Sequence, residues 1–167
     1  MSAAFSIAPA ARAQLPEILG IYNEVIRNTT AVYSDQEVTL ANREAWFDAR
    51  VQRGFPVLVA SDPSGGVLGF ASFGEFRAWP CYRYSVEHSV HVRADSRGRG
   101  VGRTLVTALL ERAAGMKMHV MIGGIDADNA TSLALHESLG FKVVGHFREV
   151  GCKFGRWLDL KFLQRLI

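Results

Sequence analysis

A glycine-rich segment, residues 97–102 with the sequence RGRGVG, follows a strand-like run and leads directly into an amphipathic helix. Glycines let the backbone approach a ligand closely, and the first turn of a helix presents unpaired N–H groups with partial positive charge. Together with Arg103, the segment therefore predicts a cradle for a pyrophosphate. It is not a Walker loop, because no Gly-Lys-Ser/Thr follows, and Arg103 stands where a dinucleotide fingerprint needs its third glycine. Asp126, 24 positions beyond Gly102, keeps a dinucleotide site open as one alternative, and a plain turn with solvated arginines is the other.

The positive charge of the chain is concentrated around that segment. The formal net charge is only +3, from 19 basic and 16 acidic residues. Residues 93–117 hold six basic and two acidic side chains, which is +4, so the rest of the chain carries 13 against 14, or −1. The stretch contains no aromatic residue, whereas nucleic-acid-binding surfaces more often combine a wider basic face with aromatics. The pattern favours a compact anionic ligand over nucleic acid.

Length and composition predict one globular domain over residues 1–167. The chain is 49% hydrophobic and 21% charged, which is typical of a globular protein. No window approaches the ~18 consecutive apolar residues that span a bilayer, and the first ten residues lack the pattern of a secretory signal. Cys81 and Cys152 lie 71 positions apart and form neither a CxxC pair nor a disulfide framework. We expect a soluble, reduced, cytoplasmic protein with no membrane partner.

Hydrophobic periodicity predicts a mixed α/β chain. Apolar residues recur at helical spacing in four segments and form alternating or short buried runs in seven others. In the predicted strand at 84–92, Val86 and His88 share one face and Glu87 lies on the other. The predicted helices cover 15–26, 40–52, 101–116 and 130–139, and the predicted strands cover 5–7, 56–61, 67–74, 84–92, 119–125, 142–147 and 157–162.

The glycine loop and several further phrases resemble one protein family. Arg97, Gly100 and Gly102 meet the pattern Arg/Gln-x-x-Gly-x-Gly between strand and helix, which is the acetyl-CoA loop of the GNAT superfamily of N-acetyltransferases. Within it, the chain is similar to the branch that acetylates phosphinothricin and methionine sulfoximine. The phrases similar to that branch are IYNEVIRNTTA (21–31), NREAWFDAR (42–50), VEHSVHV (86–92), HESLGF (136–141) and FGRWLDL (154–160).

The resemblance implies a GNAT fold, a mixed central sheet of about seven strands with splayed central strands and flanking helices. Backbone groups of Val90, His91 and Val92 would bind the pantetheine arm of acetyl-CoA. Asn129, a candidate helix cap, would also contact the cofactor. The pyrophosphate would lie on the loop residues Arg97, Gly98, Arg99, Gly100, Val101, Gly102 and Arg103. The family also suggests a homodimer with each acceptor site near the subunit interface.

Two side chains are candidates for the chemistry. Acetyl transfer needs a neutral amine, and an α-amino group of pKa ~8 is mostly protonated at neutral pH. Glu87 lies mid-strand, where an acidic residue is unexpected, and the resemblance places the general base there. His136 lies two helical turns after Asn129, where many family members carry a tyrosine as general acid, and histidine can donate a proton near pH 7. The alternatives are a surface or ion-pair role for Glu87 and a packing role for His136.

The segment before Glu87 is dense in aromatic residues and carries Arg77, which can bind a carboxylate or phosphinate through two hydrogen bonds. The family places acceptor contacts in this segment, and we extend the candidates to the adjoining strand and the phrase NTTA. The candidate acceptor residues are Arg77, Ala78, Trp79, Tyr82, Glu87, His88, Ser89, Asn28, Thr29, Thr30 and Tyr33. The alternative for the rings is a core or subunit contact. No metal site is expected, since His88 and His91 would face opposite sides of one strand.

The leading interpretation is a cytoplasmic N-acetyltransferase that moves acetyl from acetyl-CoA to the α-amine of a small amino-acid analogue. Methionine sulfoximine, methionine sulfone and phosphinothricin are the candidate acceptors. A polyamine, an aminoglycoside or a protein N-terminus is a second possibility, although Arg77 disfavours cationic acceptors. A non-catalytic acyl-CoA-binding regulator is a third, against which Glu87 and His136 together argue. A nucleic-acid-binding module is the weakest alternative.

Overall fold

One sheet organises residues 5–167, the part of the chain that the structure, a computed structural model, describes. Its strands are β1 (Ser6–Pro9), β2 (Val57–Ser61), β3 (Val67–Glu75), β4 (Ser85–Val92), β5 (Val120–Asp126), β6 (Lys142–Lys153) and β7 (Arg156–Leu166). The helices are α1 (Leu15–Asn28), α2 (Leu40–Gln52), α3 (Val101–Gly115) and α4 (Ala130–Ser138). The strands lie in the order β1-β2-β3-β4-β5-β7-β6. The predicted succession of strands and helices is confirmed.

Strands β4 and β5 form a short parallel pair and then diverge. Residues 85–87 of β4 pair with residues 120–122 of β5, whereas β4 stays paired with β3 up to Val92. The other ladders of the sheet are antiparallel. A strand that loses one neighbour leaves backbone N–H and C=O groups on that side without ladder partners. The expected splay is therefore confirmed, and it opens a wedge between residues 88–92 and residues 123–126.

Two apolar clusters hold the helices against the sheet. The larger cluster packs α3 on the sheet through side chains such as Leu105, Leu109 and Phe73, which are fully buried. The smaller one packs α1 on the other face through Ile18 and Phe70. Each such side chain contributes roughly 1.5–3 kcal/mol by its burial, so the two clusters stabilise the packing of the helices on the sheet. No helix in the described range is long and apolar enough to cross a membrane.

The last hairpin is longer than the sequence predicts. The apolar pattern predicts strands at 142–147 and 157–162, whereas β6 continues to Lys153 and β7 to Leu166. The register between the two strands shifts midway along β6, and Glu149 there has a positive φ of 51°. A bulge of this kind interrupts the two-residue alternation on which the prediction depends. The longer β6 is the outermost strand of the sheet.

Candidate active site

The glycine loop connects β4 to α3 and forms the start of that helix. Gly98 and Gly100 have φ angles of 73° and 83°, in the left-handed region that favours glycine. The carbonyl oxygen of Gly100 accepts the backbone N–H of Thr104 at 3.0 Å. The N–H groups of the first helical turn, from Val101 to Arg103, precede this bond and have no acceptor within the helix. They form the type of helix start that binds phosphate groups.

The three arginines of the loop differ in their surroundings. Arg97 donates from Nε to the carbonyl oxygen of the last β4 residue at 3.1 Å and from Nη2 to Glu24 of α1 at 2.9 Å. Arg103 donates to the hydroxyl of Ser138 in α4 at 2.7 Å. Arg99 is exposed. Arg97 therefore holds the loop against α1, while Arg99 places its charge toward solvent beside the helix start.

A cavity of about 110 Å³ lies in the wedge between β4 and β5. Its lining residues are Ala31, His88, Ser89, Val90, His91, Gly123, Gly124, Ile125, Asp126, Asn129, Ser132 and His136. The β4 residues, Asn129 and His136 are candidates from the sequence, and the structure brings them together. The glycines of β5 were not among the candidates. A glycine pair inside a buried strand indicates the close approach of another group, and this signal could have identified them.

Asn129 and Asp126 stand at the junction between β5 and α4. The Oδ1 atom of Asn129 accepts the backbone N–H of Ser132 at 3.0 Å, which confirms the predicted helix cap. The carboxylate of Asp126 is buried and accepts the hydroxyl of Thr30 and, at 3.0 Å, the backbone N–H of Asp128. A dinucleotide site needs such a carboxylate to bind ribose hydroxyls. The internal contacts of Asp126 therefore argue against the dinucleotide alternative.

His88 and His136 form a buried pair beneath β4. Their rings stack with centroids 5.0 Å apart, and their Nε2 atoms are 3.2 Å apart. The Nδ1 atom of His136 lies 2.7 Å from the carbonyl oxygen of Ser132, and since a carbonyl only accepts, this nitrogen carries the proton. Nε2 of His136 therefore accepts a hydrogen bond from His88. Burial, with the neighbouring His136, lowers the pKa of His88 to about 3, and burial also lowers the pKa of His136.

These histidines do not belong to a metal centre of the usual composition. Among residues 5–167, no three or more His, Cys, Asp or Glu side chains are grouped so that they could hold a metal ion. The pair is a hydrogen-bonded unit with a fixed direction, from His88 through His136 to the carbonyl of Ser132. Both rings are neutral at pH 7 because their pKa values are lowered.

Glu87 lies on the opposite side of β4, between two glycines. It is directly opposite Gly74 of β3 in the ladder, and its Oε1 atom lies 3.4 Å from the position that a Cβ on Gly124 of β5 would take. Burial raises the pKa of Glu87, and the guanidinium of Arg77 acts in the opposite direction. Small neighbours leave room for a ligand next to the carboxylate. A raised pKa makes the carboxylate a better proton acceptor near neutral pH.

The aromatic segment between β3 and β4 lies next to this carboxylate but is mostly exposed. The guanidinium of Arg77 lies 4.1 Å from the ring centroid of Phe76. Trp79 and Tyr82 are 67% and 42% exposed, and Ala78 is exposed as well. The structure therefore brings the charge of Arg77 to the candidate base. It leaves the Trp79 ring largely in solvent.

The residues of the phrase NTTA and the following loop are divided between the cavity and the surface. The Thr30 hydroxyl donates to Asp126, which places this segment at the cavity. The hydroxyl of Tyr33 donates to the carbonyl oxygen of Asp159 at 2.7 Å. Burial and, to a smaller degree, nearby carboxylates raise the pKa of Tyr33 to about 12. Asn28 is exposed and donates to the carboxylate four residues earlier in α1 at 3.3 Å.

The candidate acceptor residues Glu87, His88 and Ser89 do not all direct their side chains to the same side of β4. Neighbouring residues of a strand face opposite sides, and the His88 ring packs against Phe141, with centroids 5.5 Å apart, and against His136. His88 therefore lines the wedge from beneath β4, on the side away from Glu87. Ser89 is exposed and shares the side of Glu87.

Known proteins resemble this chain over nearly its whole length. The Acetyltransferase (GNAT) family matches residues 18–141. A relative from Pseudomonas paraeruginosa, named L-methionine sulfoximine/L-methionine sulfone acetyltransferase, is 54% identical over 159 residues. That alignment covers 95% of this chain and 92% of the relative.

Two solved structures share the whole fold. A protein from Brucella melitensis, described as a ribosomal-protein-alanine N-acetyltransferase, has a TM-score of 0.94 at 48% identity and covers 97% of this chain and 99% of its own. A phosphinothricin acetyltransferase from Sinorhizobium meliloti, in complex with acetyl-CoA, has a TM-score of 0.96 at 34% identity and covers 100% of this chain and 89% of its own. From the matched family, the identity over nearly the full length and the shared fold, this chain belongs to the GNAT family of acetyltransferases.

Proposed function

We propose that this acetyltransferase forms one domain and moves acetyl from acetyl-CoA to the α-amine of a small amino-acid analogue. The observation that carries the proposal is the position of Glu87, which lies between Gly74 and Gly124 where β4 and β5 diverge. Burial at this position raises the pKa of Glu87. The acceptor class is supported by the relative named for methionine sulfoximine and methionine sulfone. The solved phosphinothricin acetyltransferase, which holds acetyl-CoA, supports the donor and the same class of acceptor.

Acetyl-CoA would occupy the glycine loop and the wedge. The N–H groups at the start of α3 would face its pyrophosphate, with the exposed charge of Arg99 beside them. The backbone of residues 90–92 has no β5 partner in the described chain and would bind the amides of the pantetheine arm. Asn129 caps α4 through Oδ1, so its amide nitrogen is left to contact the cofactor. The residues present therefore fit this donor.

The chemistry requires that the acceptor amine lose a proton before it attacks. An ammonium has no lone pair, so Glu87 would take one proton from the nitrogen. Formation of the bond between this nitrogen and the acetyl carbon then breaks the thioester bond. The nitrogen gives up its second proton and the departing thiolate gains one, which leaves an amide and a CoA thiol. The raised pKa of Glu87 favours its role in the first of these proton transfers.

His136 is the proposed proton donor to the thiolate, and the histidine pair sets a condition for that role. In the structure, Nε2 of His136 accepts from His88 and has no proton to give. Donation requires that the neutral pair take up one additional proton, for which Nδ1 of His88, buried and without a hydrogen-bond partner in residues 5–167, is the available ring nitrogen. The lowered pKa values of both rings make this uptake unfavourable at pH 7. We therefore expect the loss of Glu87 to reduce the rate more than the loss of His136.

A protein N-terminus is the second candidate acceptor. The Brucella melitensis protein with the same fold is described as a ribosomal-protein-alanine N-acetyltransferase, and the exposed ring of Trp79 lies in the aromatic segment before Glu87. A thiol-release assay with acetyl-CoA separates the candidates. The panel contains methionine sulfone, methionine sulfoximine, phosphinothricin, a polyamine, an aminoglycoside and a peptide that begins with alanine.

The proposal expects thiol release with the amino-acid analogues. Release with the peptide alone would move the assignment to protein N-termini, and release with the polyamine or the aminoglycoside alone would move it to cationic amines. If no amine produces thiol release while acetyl-CoA binds, the protein is a non-catalytic acyl-CoA-binding regulator.

We further propose that the protein is a homodimer that associates through the β6–β7 hairpin. Val144, Val150, Phe154 and Trp157 on this hairpin are 53–66% exposed, although all are apolar. Clustered apolar side chains at a surface usually mark an interaction site. Sedimentation should show a dimer that Trp157→Lys dissociates, whereas the control Val51→Lys on α2 should remain dimeric. If Trp157→Lys also remains dimeric, the hairpin is not the interface.

The cytoplasm is the proposed location. Cys81 and Cys152 are both exposed free thiols, a state that a reducing compartment preserves. Cell fractionation tests the proposal: recovery of the protein from the oxidising side of the membrane would contradict it.

A further inference from the structure

Arg50, near the end of α2, has a half-buried guanidinium that lies against β3. Its Nη1 atom occupies the position that a Cβ on Gly74 would take. Its Nε atom is buried and has no hydrogen-bond partner in residues 5–167. Buried donors without a partner are rare in folded proteins, so this guanidinium needs an explanation.

The place of this guanidinium follows from the register of the sheet. Gly74 and Glu87 are directly opposite each other in the β3–β4 ladder. Opposed residues of antiparallel strands project from the same face, with Cβ atoms about 4.5–5.5 Å apart. The Arg50 guanidinium, at the Cβ position of Gly74, therefore stands beside Glu87 on the acceptor side of β4. The carboxylate of Glu87 leans the other way, toward Gly124 of β5.

The nearby carboxylates leave this cation free for a ligand. Glu75 attracts Arg50 but forms its ion pair with Arg53, the residue that directly follows α2. Glu87 forms no ion pair with Arg50 among the described residues, because its carboxylate is directed to β5. The guanidinium that reaches from α2 over β3 and the Glu87 side chain of β4 thus lie on the same face of the sheet, with the carboxylate directed away toward β5.

We infer that Arg50 binds the α-carboxylate of the acceptor while Glu87 takes the proton from its α-amine. This inference rests on the proposed function. An amino acid carries its amine and its carboxylate on one carbon, so the two groups fit a base on β4 and a guanidinium that lies over β3. Arginine binds a carboxylate through two parallel hydrogen bonds. Arg77, more exposed, is left for the acidic group of the acceptor side chain. A protein N-terminus has an amide in place of the α-carboxylate and therefore lacks the group that Arg50 would bind.

The test compares an acceptor with a free carboxylate and the same acceptor as its methyl ester. Methionine sulfone and methionine sulfone methyl ester are assayed with the wild type and with Arg50→Met. The variant should lose about 10- to 150-fold in kcat/KM for the acid, the range expected for a charge-assisted hydrogen bond, mainly through a higher KM. Activity toward the ester and the KM for acetyl-CoA should hardly change. Arg50→Lys should recover only part of the loss, because an ammonium lacks the planar fork.

The matched control is Arg53→Met, at the residue that directly follows α2, which should keep the wild-type preference for the acid over the ester. An unchanged preference in Arg50→Met, or an equal loss toward acid and ester, overturns the inference. If Arg50→Met does not fold, Arg50→Lys decides: a reduced preference supports the inference and an unchanged one overturns it. A wild type that acetylates neither acceptor would instead overturn the proposed function, so the two failures are distinguishable.

Discussion

Two buried neutral histidines should make the protein lose stability as the pH falls below about 6.5. His88 and His91 are 8% and 9% exposed. Burial lowers the pKa of His88 to about 3, with His136 as a further cause. Burial, followed by the charges of Arg43 and Arg97, lowers the pKa of His91 to about 4. In the folded protein both rings therefore resist protonation in mild acid.

The size of the effect follows from these pKa values. The unfolded chain binds protons at its histidines from about pH 6.5 downward, whereas the folded chain does not until about pH 3–4. The stability that the neutral rings contribute is therefore complete above about pH 6.5 and is lost progressively as the pH falls below that value. One pKa unit corresponds to about 1.4 kcal/mol, and the unfolded histidines are already half protonated at about pH 6.5, so between about pH 6.5 and pH 5 each ring removes about 1.6 kcal/mol and the two together about 3 kcal/mol. Glu87, whose pKa is raised, acts in the opposite direction.

Urea denaturation of the wild type and His91→Phe at these two pH values isolates one ring. Phenylalanine can keep the contacts of His91 with Tyr22 and Phe70, whose ring centroids lie 5.4 and 5.3 Å away, but cannot take up a proton. The free energy of unfolding of the variant should fall by about 1.6 kcal/mol less than that of the wild type. An equal fall in both proteins would refute the conclusion that His91 stays neutral in the folded state.

Two further predictions concern binding. Gly100→Asp should abolish acetyl-CoA binding in calorimetry, because the left-handed φ disfavours a side chain and a carboxylate would face the pyrophosphate; unchanged affinity in a folded variant would remove the loop from the cofactor site. Arg77→Ala should raise the KM of phosphinothricin by about 10- to 150-fold and leave the KM of acetyl-CoA nearly constant; an equal loss toward acceptors with neutral side chains would show that Arg77 supports its own loop.

The sequence predicts those parts of the fold whose signals are local. The glycine loop, the cap at Asn129 and the order of strands and helices follow from residue types at short spacing, and the structure contains them. The splay of β4 and β5 came from the resemblance to a family and not from periodicity. The hairpin was underestimated because a bulge near Glu149 interrupts the alternation of β6.

Contacts between distant segments could not be predicted in the same way. His88 and His136 are 48 positions apart, and the guanidinium of Arg50 reaches Gly74 only because α2 packs over β3. A glycine inside a strand was a usable signal at Gly74, since it often marks the close approach of another group. The sequence did not show which distant residues contact each other, so these two contacts were not predicted.

Lys153 gave no such signal. A lysine at the end of a strand is typical of a solvated surface, yet this side chain is buried. Its Nζ atom donates to the carbonyl oxygens of Ile26, Thr29 and Val32 at 2.6, 2.6 and 2.9 Å. It fastens the end of α1 and the loop that carries Thr30 to β6, and only the assembled fold shows this.

Glu87→Gln tests the proposed general base most directly. The amide keeps the size of the side chain but cannot accept the proton, so kcat/KM for methionine sulfone at about pH 7 should fall by about 10²–10⁴. The affinity for acetyl-CoA should not change, and the control Glu75→Gln on β3 should keep the wild-type rate. The deficit should shrink as the pH rises past the amine pKa of about 8, because free amine then becomes abundant. A Glu87→Gln variant with a near-native rate at neutral pH would contradict the assignment of Glu87 as the base.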